Sequence, residues 1–76
     1  MLLLYTKDGC PHCAKVKEVF KDRNVMYEER NVKEPTFLQE VKDHGFNAVP
    51  VLVDTTANTT VVGTDEIIDY ASEHAF

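Results

Sequence analysis

The chain has 76 residues, of which 43% are hydrophobic and 28% are charged, and its formal net charge at pH 7 is -5. This length and composition predict a single globular domain over residues 1–76 and exclude a disordered segment. The acidic balance argues against a nucleic-acid surface, and the apolar start Met1–Leu4 is too short for a secretion signal or a membrane span. We therefore expect a cytoplasmic protein that binds neither nucleic acid nor a membrane.

The first predicted strand and helix lie on either side of the first of the two cysteines. The apolar run Leu2–Tyr5 ends before the turn residues Asp8-Gly9, which predicts a short central strand buried on both faces. An amphipathic helix is predicted from Pro11 to about Arg23, with Asn24 as its C-terminal stop. The core-facing side of this helix carries Val16, Val19 and Phe20.

The middle of the chain predicts a second strand and a second helix. The segment Val25–Val32 begins apolar and ends charged, which predicts a strand running into a loop. It should be parallel to the first strand, because a crossover helix connects the two. A helix from Pro35 to His44 follows, ended by Gly45 in the left-handed conformation. We expect this helix to cover the sheet with Phe37, Leu38 and Val41.

The last third of the chain predicts a hairpin and a third helix. The runs Pro50–Val53 and Thr59–Val62 are rich in β-branched residues and flank a polar loop, so they should pair antiparallel. Gly63 ends the second run, and Thr64 is the expected N-cap of the helix. Its first turn is acidic, as the helix dipole favours, and its apolar face carries Ile67, Ile68 and Ala71.

The segment Cys10-Pro11-His12-Cys13 predicts a redox couple, because cysteines three apart at a helix N-terminus are close enough for a disulfide. Pro11 suits the first helical position, which makes Cys10 the N-cap, where backbone N–H groups and the helix dipole favour a thiolate. The pKa of Cys10 should therefore be low, and His12 and Lys7 can add positive charge. Cys13 lies on the core-facing side of the helix and should be the more buried, resolving thiol.

Other uses of two cysteines fit the sequence less well. A structural disulfide closing so short a loop would constrain the unfolded chain little. A closed zinc site needs four ligands, and beyond the cysteines only His12, His44 and His74 are available among histidines, so we expect no bound metal. A c-type haem site needs histidine after the second cysteine, where this chain has Ala14.

The element order β-α-β-α-β-β-α with Cys-Pro-x-Cys at the first helix resembles the glutaredoxin family. That family has the minimal thioredoxin fold, a four-stranded mixed sheet flanked by three helices. The resemblance covers nearly the whole chain. It depends on the Cys-Pro-x-Cys motif and on three further segments in the expected order, Tyr5-Thr6-Lys7, Val49-Pro50 and Gly63-Thr64-Asp65.

The resemblance implies roles for the residues at the reacting sulfurs. Cys10 would attack a disulfide and Cys13 would resolve the mixed disulfide that forms. Pro50 would be a cis proline packed against the active site. Val49 would present its backbone to the cysteine of glutathione, as in one added rung of the sheet. The protein would then be a monomeric dithiol oxidoreductase with no permanently bound cofactor.

The resemblance also implies how glutathione is held as a co-substrate. Thr64 and Asp65 match the positions where glutaredoxins hold the γ-glutamyl end, and Lys7 matches a residue near a carboxylate of the ligand. His12 lies in the motif and completes the expected set of binding residues. The physical chemistry is consistent, because Asp65 can pair with an ammonium while the helix N-terminus beside it binds a carboxylate.

Two alternatives to a glutathione-linked glutaredoxin remain open. The segment from Gly45 to Pro50, Gly-Phe-Asn-Ala-Val-Pro, and the single Gly63 are similar to NrdH-type redoxins, which thioredoxin reductase reduces and which donate electrons to ribonucleotide reductase. Some glutaredoxins instead carry an iron–sulfur cluster between two subunits, but Pro11 argues against this because cluster carriers tend to have a less rigid motif. In each case protein disulfides or small thiols are the expected partners.

Overall fold

The computed structural model describes residues 1–74, which form four strands and three helices around one mixed sheet. The strands are β1 Leu2–Thr6, β2 Glu28–Asn31, β3 Val51–Asp54 and β4 Thr59–Val62, and the helices are α1 Pro11–Asp22, α2 Pro35–Asp43 and α3 Thr64–Glu73. The strand order is β2-β1-β3-β4, with β1 and β2 parallel and the other pairs antiparallel. The predicted fold is confirmed. No helix within the described residues is long and apolar enough to cross a membrane.

Strand β1 is buried at every position, as its unbroken apolar sequence predicts. Because successive side chains of a strand point to opposite faces, Leu2 and Leu4 contact the layer formed by α1 and α3, whereas Leu3 and Tyr5 contact the α2 side. The largest core side chains of the first layer are Phe20 of α1 and Ile67 of α3. The carboxyl end of this central strand leads directly into the cysteine motif.

Helices α1 and α2 begin and end close to their predicted limits. After α1, Asn24 has a left-handed φ of 56° and the N–H of Val25 donates to the carbonyl of Phe20 at 2.8 Å. After α2, Gly45 has a φ of 87°. The prediction that Leu38 faces the core is wrong, because this residue is 38% exposed. Helix α2 directs Val41 into the core and leaves Leu38 at the edge of a surface groove.

The second strand is shorter than predicted. Strand β2 covers only Glu28–Asn31, and the apolar residues expected to begin it lie outside the sheet. Val25 is buried directly after α1, whereas Met26 is 89% exposed. The parallel register pairs Leu3 with Glu28, so the charged segment is the one that reaches β1. The hydrophobic run that begins at Val25 therefore belongs to the connection between α1 and β2 and not to the strand itself.

Strand β3 runs one residue later than predicted, because Asp54 belongs to the strand and not to the loop. Asp54 is only 4% exposed. Its buried carboxylate accepts a hydrogen bond from the hydroxyl of Tyr70 at 2.7 Å. It also accepts the backbone N–H groups of Thr56 and Ala57 at 3.1 and 3.3 Å. A buried aspartate with three donors ends the strand and folds the hairpin loop.

The N-cap of α3 is Gly63 and not Thr64. Gly63 has a φ of 100°, which favours glycine, and its N–H donates to the carbonyl of Pro50 at 3.2 Å. Strand β4 ends at Val62, as predicted, and with Gly63 as the N-cap Thr64 occupies the first helical position. The hydroxyl of Thr64 makes no capping bond.

Candidate active site

The cysteine motif lies where the carboxyl end of β1 meets the N-terminus of α1. Cys10 is the N-cap of α1 with extended backbone angles, and Pro11 occupies the first helical turn, as predicted. The Cys10 sulfur accepts the backbone N–H of Cys13 at 3.2 Å. Both cysteines are free thiols, with Cys10 9% exposed and Cys13 1% exposed. The expected difference in burial is confirmed.

The two thiols differ in acidity in opposite directions. Burial alone would raise the pKa of Cys10, but a hydrogen bond from the Cys13 thiol, the backbone N–H groups of Cys13 and His12, and the charge of Lys7 together lower it below its ordinary value. Burial and the hydrogen bond with Cys10 raise the pKa of Cys13 to about 11. Near neutral pH the site therefore holds one nucleophilic sulfur and one protonated, buried sulfur.

The Val49–Pro50 peptide bond is cis, as the resemblance implied. Pro50 is buried and Val49 is half-buried against the α2 side of the core. Within residues 1–74 the N–H and C=O of Val49 make no backbone hydrogen bond. A main-chain donor and acceptor are thus free beside the motif, which is the arrangement that adds an extended peptide to a sheet.

Two grooves meet at Lys7. One has a volume of about 440 Å³ and passes the reactive sulfur; it is lined by Lys7, Asp8, Gly9, Cys10, Pro11, Ala14 and Lys17. The other has a volume of about 180 Å³ and leads to the cis-proline loop; it is lined by Lys7, Val32, Leu38, Val41, Asn47, Ala48 and Val49. Lys7, which is exposed, therefore lines both the groove that contains Cys10 and the groove that contains Val49.

A third groove lies on the other side of Pro11, between the N-termini of α1 and α3. It has a volume of about 520 Å³ and brings together Pro11, His12, Lys15, Thr64, Asp65 and Glu66. The predicted binding residues are thus divided, with Lys7 and Val49 on one side of Cys10 and His12, Thr64 and Asp65 on the other. The two sides are joined by the hydrogen bond between Pro50 and Gly63.

The charged residues near Cys10 that the sequence did not single out are Glu66 and Lys17. A Cβ atom on residue 63 would lie 2.6 Å from Oε2 of Glu66, so this carboxylate folds back over the N-cap of α3. The Nζ atom of Lys17 donates to Oε2 of Glu29 at 3.1 Å beside the first groove. The position of Glu66 in the first helical turn and the spacing of Lys17 four residues after Cys13 were usable signals, whereas the pairing of Lys17 with Glu29 carried none, because Glu29 is on another element.

The fold and the site define a thioredoxin-fold protein with a reactive dithiol opposite a cis proline. A sequence model of the glutaredoxin family matches residues 2–56. The chain is 34% identical over 53 residues to the glutaredoxin-like protein NrdH of Lactococcus lactis subsp. lactis, covering 68% of this chain and 74% of that one. It is 34% identical over 79 residues to glutaredoxin 1 of Rickettsia felis, covering 95% and 72% respectively. The chain belongs to the glutaredoxin family of thiol–disulfide oxidoreductases.

Solved structures agree on the fold. A mutant of the thioredoxin-like protein BC3987 superposes with a TM-score of 0.81 at 28% identity over 96% of both chains. The NrdH-redoxin of Escherichia coli has a TM-score of 0.77 at 22% identity over 91% of both chains. A buckwheat glutaredoxin–glutathione complex has a TM-score of 0.74 at 18% identity, covering 97% of this chain and 70% of that one. The last two likenesses show the fold alone.

Proposed function

We propose that the protein reduces protein disulfides and glutathione mixed disulfides through the Cys10/Cys13 couple, and that glutathione regenerates the dithiol. The observation that carries this proposal is the geometry of the couple: the Cys10 sulfur caps α1 and accepts the backbone N–H of Cys13 at 3.2 Å, whereas Cys13 is buried and its pKa is raised. In such a couple one sulfur attacks the substrate disulfide, and the other stays protonated until it resolves the mixed disulfide. We assign it to the cytoplasm, where thiols are kept reduced, as a monomer without a bound cofactor.

The chemistry follows from that asymmetry. The Cys10 thiolate attacks one sulfur of the substrate disulfide, and the other sulfur leaves as a thiolate that takes up a proton. The mixed disulfide then has two fates. Cys13 can lose its proton and attack the Cys10 sulfur, which releases the second substrate thiol and leaves a Cys10–Cys13 disulfide. Alternatively, a glutathione thiolate can attack a mixed disulfide between Cys10 and glutathione, which releases the Cys10 thiolate and forms glutathione disulfide. Two glutathione molecules return the Cys10–Cys13 disulfide to the dithiol in the same way and leave as one glutathione disulfide.

Charges and free backbone around Cys10 support glutathione as the reductant. The free main-chain groups of Val49 fit the cysteine residue of a tripeptide. On one side Lys7 offers an ammonium to a carboxylate, and on the other Asp65 offers a carboxylate to the ligand ammonium. Glutathione is a zwitterion that carries both kinds of group.

A second candidate is a redoxin reduced by thioredoxin reductase that supplies electrons to ribonucleotide reductase. It is favoured by Glu66, whose carboxylate lies over the N-cap of α3, where a carboxylate of glutathione would otherwise bind. The likeness to a relative named NrdH supports the same candidate. On this alternative Asp65 and Glu66 act only as stabilisers of the first helical turn.

The two candidates are separated by measuring disulfide reduction with NADPH plus either glutathione and its reductase or thioredoxin reductase. The primary proposal expects turnover with glutathione, and Asp65→Asn should raise the KM for glutathione by about three- to tenfold, as expected for one exposed charged contact. The control is Asp69→Asn, an exposed acidic residue one turn further along α3. Turnover with thioredoxin reductase alone, unchanged in Asp65→Asn, would overturn the glutathione assignment.

A further inference from the structure

A hydrogen-bonded cluster of Lys17, Glu29 and Thr6 lies beside the resolving cysteine. Lys17 follows Cys13 by one helical turn on α1, so the two side chains lie on the same side of the helix. Oε2 of Glu29 accepts one hydrogen bond from the ammonium of Lys17 at 3.1 Å and another from the hydroxyl of Thr6 at 2.7 Å. Thr6 is fully buried at the end of β1, just before the motif.

This arrangement fixes a charge that would otherwise move freely. The side chains of Lys17 and Glu29 are 38% and 37% exposed, so each is partly covered by protein. Glu29 is held in turn by strand β2, where its backbone pairs with Leu4 of β1. The ammonium of Lys17 is therefore anchored from the sheet, on the side of α1 that carries Cys13.

The charges of Lys17, Glu29 and Cys13 shift one another's pKa values, each favouring the charged form of its oppositely charged neighbour. Burial and the hydrogen bond with Cys10 raise the pKa of Cys13, and the backbone N–H of Lys7 lowers it; the charge of Cys10 then raises it further and the charge of Lys17 lowers it. The pKa of Lys17 is raised first by its hydrogen bond to Glu29, and further by the charges of Glu29, Tyr27 and Cys13. Glu29 has a lowered pKa because of Thr6 and Lys17, with Asp8 acting in the opposite direction. Lys17 and a Cys13 thiolate therefore stabilise each other.

We propose that Lys17, anchored by Glu29 and Thr6, is a positioning residue that favours the thiolate of Cys13 and so accelerates the resolving step. This inference rests on the proposed roles of Cys10 and Cys13 and is independent of which reductant regenerates the dithiol. It assigns different tasks to the two lysine charges that line the first groove, since the charge of Lys7 favours the Cys10 thiolate and the charge of Lys17 favours the Cys13 thiolate.

Lys17 matters most at the moment when Cys13 must react. In the mixed disulfide Cys10 carries no negative charge, so both its repulsion of a Cys13 thiolate and its hydrogen bond to the Cys13 thiol are gone. Burial of Cys13, the backbone N–H of Lys7 and the charge of Lys17 remain. In the resolving step the Cys13 thiol gives up its proton, its sulfur bonds to the sulfur of Cys10, and the bond from Cys10 to the substrate sulfur breaks. The departing substrate sulfur takes up one proton.

Removing the charge of Lys17 should slow this step by a moderate factor. If the pKa of Cys13 rises by about one unit, the thiolate fraction falls about tenfold, but the more basic thiolate is also more nucleophilic, with a Brønsted slope of about 0.4 to 0.5. The net effect is about three- to fourfold on the resolving rate. The first attack by Cys10 should not change.

The test follows both steps in one experiment with the reduced protein and the neutral disulfide 4,4′-dithiodipyridine. Attack by Cys10 releases one pyridinethione, and attack by Cys13 on the mixed disulfide releases a second, so stopped-flow absorbance separates the two rates. A neutral probe removes any direct attraction between Lys17 and the reagent. The rates are measured between about pH 6 and pH 9, below the raised pKa of Cys13.

Four variants decide the outcome. We expect Lys17→Met to slow the second phase about three- to fourfold across this pH range, Lys17→Arg to restore it, and Lys21→Met, an exposed lysine one turn further along α1, to leave it unchanged. In Cys13→Ser, adding Lys17→Met should leave the single remaining phase unchanged. Equal slowing of both phases by Lys17→Met, or no change in the second phase, would overturn the proposal. Release of two pyridinethiones by Cys13→Ser would instead overturn the proposed function itself.

Discussion

The N-termini of α1 and α3 both border the active site, yet they are completed in different ways. Helix α1 has no acidic residue in its first turn, and its N-cap sulfur accepts a backbone N–H of the helix. Helix α3 has Gly63 as N-cap without a side-chain bond, and its first turn holds Asp65 and Glu66. One terminus therefore uses a thiolate as its anion, and the other already carries two carboxylates.

The difference explains where chemistry can occur. Free N–H groups and the helix dipole stabilise an anion at a helix N-terminus, and at α1 the anion with most to gain is Cys10. At α3 the carboxylates of Asp65 and Glu66 already interact with the positive end of the helix dipole. They stabilise the helix and weaken the attraction of its N-terminus for a second anion.

Replacing the thiolate while keeping the cap should separate reactivity from stability. Cys10→Ser retains an N-cap oxygen, so the free energy of unfolding should change by less than about 1 kcal/mol. Disulfide reduction should fall on the order of a thousandfold or more, because serine is not ionised at neutral pH. Turnover and chemical denaturation of the same sample measure both quantities. Activity within tenfold of the wild type would show that Cys10 is not the nucleophile.

The two thiols should differ sharply in alkylation. With a pKa of about 11, Cys13 is a thiolate in roughly one molecule in ten thousand at pH 7, whereas the lowered pKa of Cys10 makes its thiolate much more abundant. Iodoacetamide should therefore modify Cys10 at least about tenfold faster, because the greater nucleophilicity of the more basic Cys13 thiolate offsets part of the difference in abundance; mass spectrometry of the labelled peptides measures the two rates. Faster labelling of Cys13 would reverse the assigned roles.

The stability of the reduced protein should fall in alkaline solution because of Cys13. Its pKa rises from 9.0 to about 11 on folding, so its contribution is complete below pH 9 and is lost as the pH rises through about 11. Two pKa units correspond to about 2 to 3 kcal/mol. Denaturation of the wild type and of Cys13→Ser at a series of pH values measures the difference, since the tyrosines titrate in both. Parallel curves would contradict the raised pKa.

Neutralising Glu66 should make the end of α3 resemble that of α1. If glutathione binds there, Glu66→Gln should lower the KM for glutathione by about two- to fivefold, because a fixed carboxylate no longer opposes that of the ligand. Stability should fall by a few tenths of a kcal/mol, about the effect of one charge on the helix dipole. Glu73→Gln, at the other end of α3, is the matched control. A loss of stability without any change in KM would place glutathione elsewhere.

The smallest expected effect concerns His12. Its backbone N–H helps to lower the pKa of Cys10, and any residue at this position would supply that group. An exposed imidazole can add some positive charge, so His12→Tyr should lower the reduction potential, but by less than the roughly 30 mV that corresponds to tenfold in equilibrium constant. Equilibration with a glutathione redox buffer measures the potential, and Lys15→Met serves as the control for a lost charge. A rise in potential would contradict the prediction.

The sequence alone determined the asymmetry of the cysteines. Pro11 fixes the first helical position, so Cys10 must be the N-cap, and the spacing of Cys13, Val16 and Phe20 places the second thiol on the buried side of α1. These properties depend only on neighbours within two helical turns, and such local geometry can be inferred from residue types. The same reasoning predicted β1, because an apolar run of that length is stable only between two covered faces.

Only the tertiary structure decided which distant groups act on those thiols. The register between β1 and β2 brings Glu29 to Thr6 and so anchors Lys17, and no pattern in the segment around Glu29 indicates that pairing. The N-cap of α3 is Gly63, whose N–H donates to Pro50, and the acidic first turn of this helix lines the same groove as Pro11. Such contacts depend on how separate elements pack, and the free energy that selects one packing is spread over the whole core and not over the residues that end up in the site.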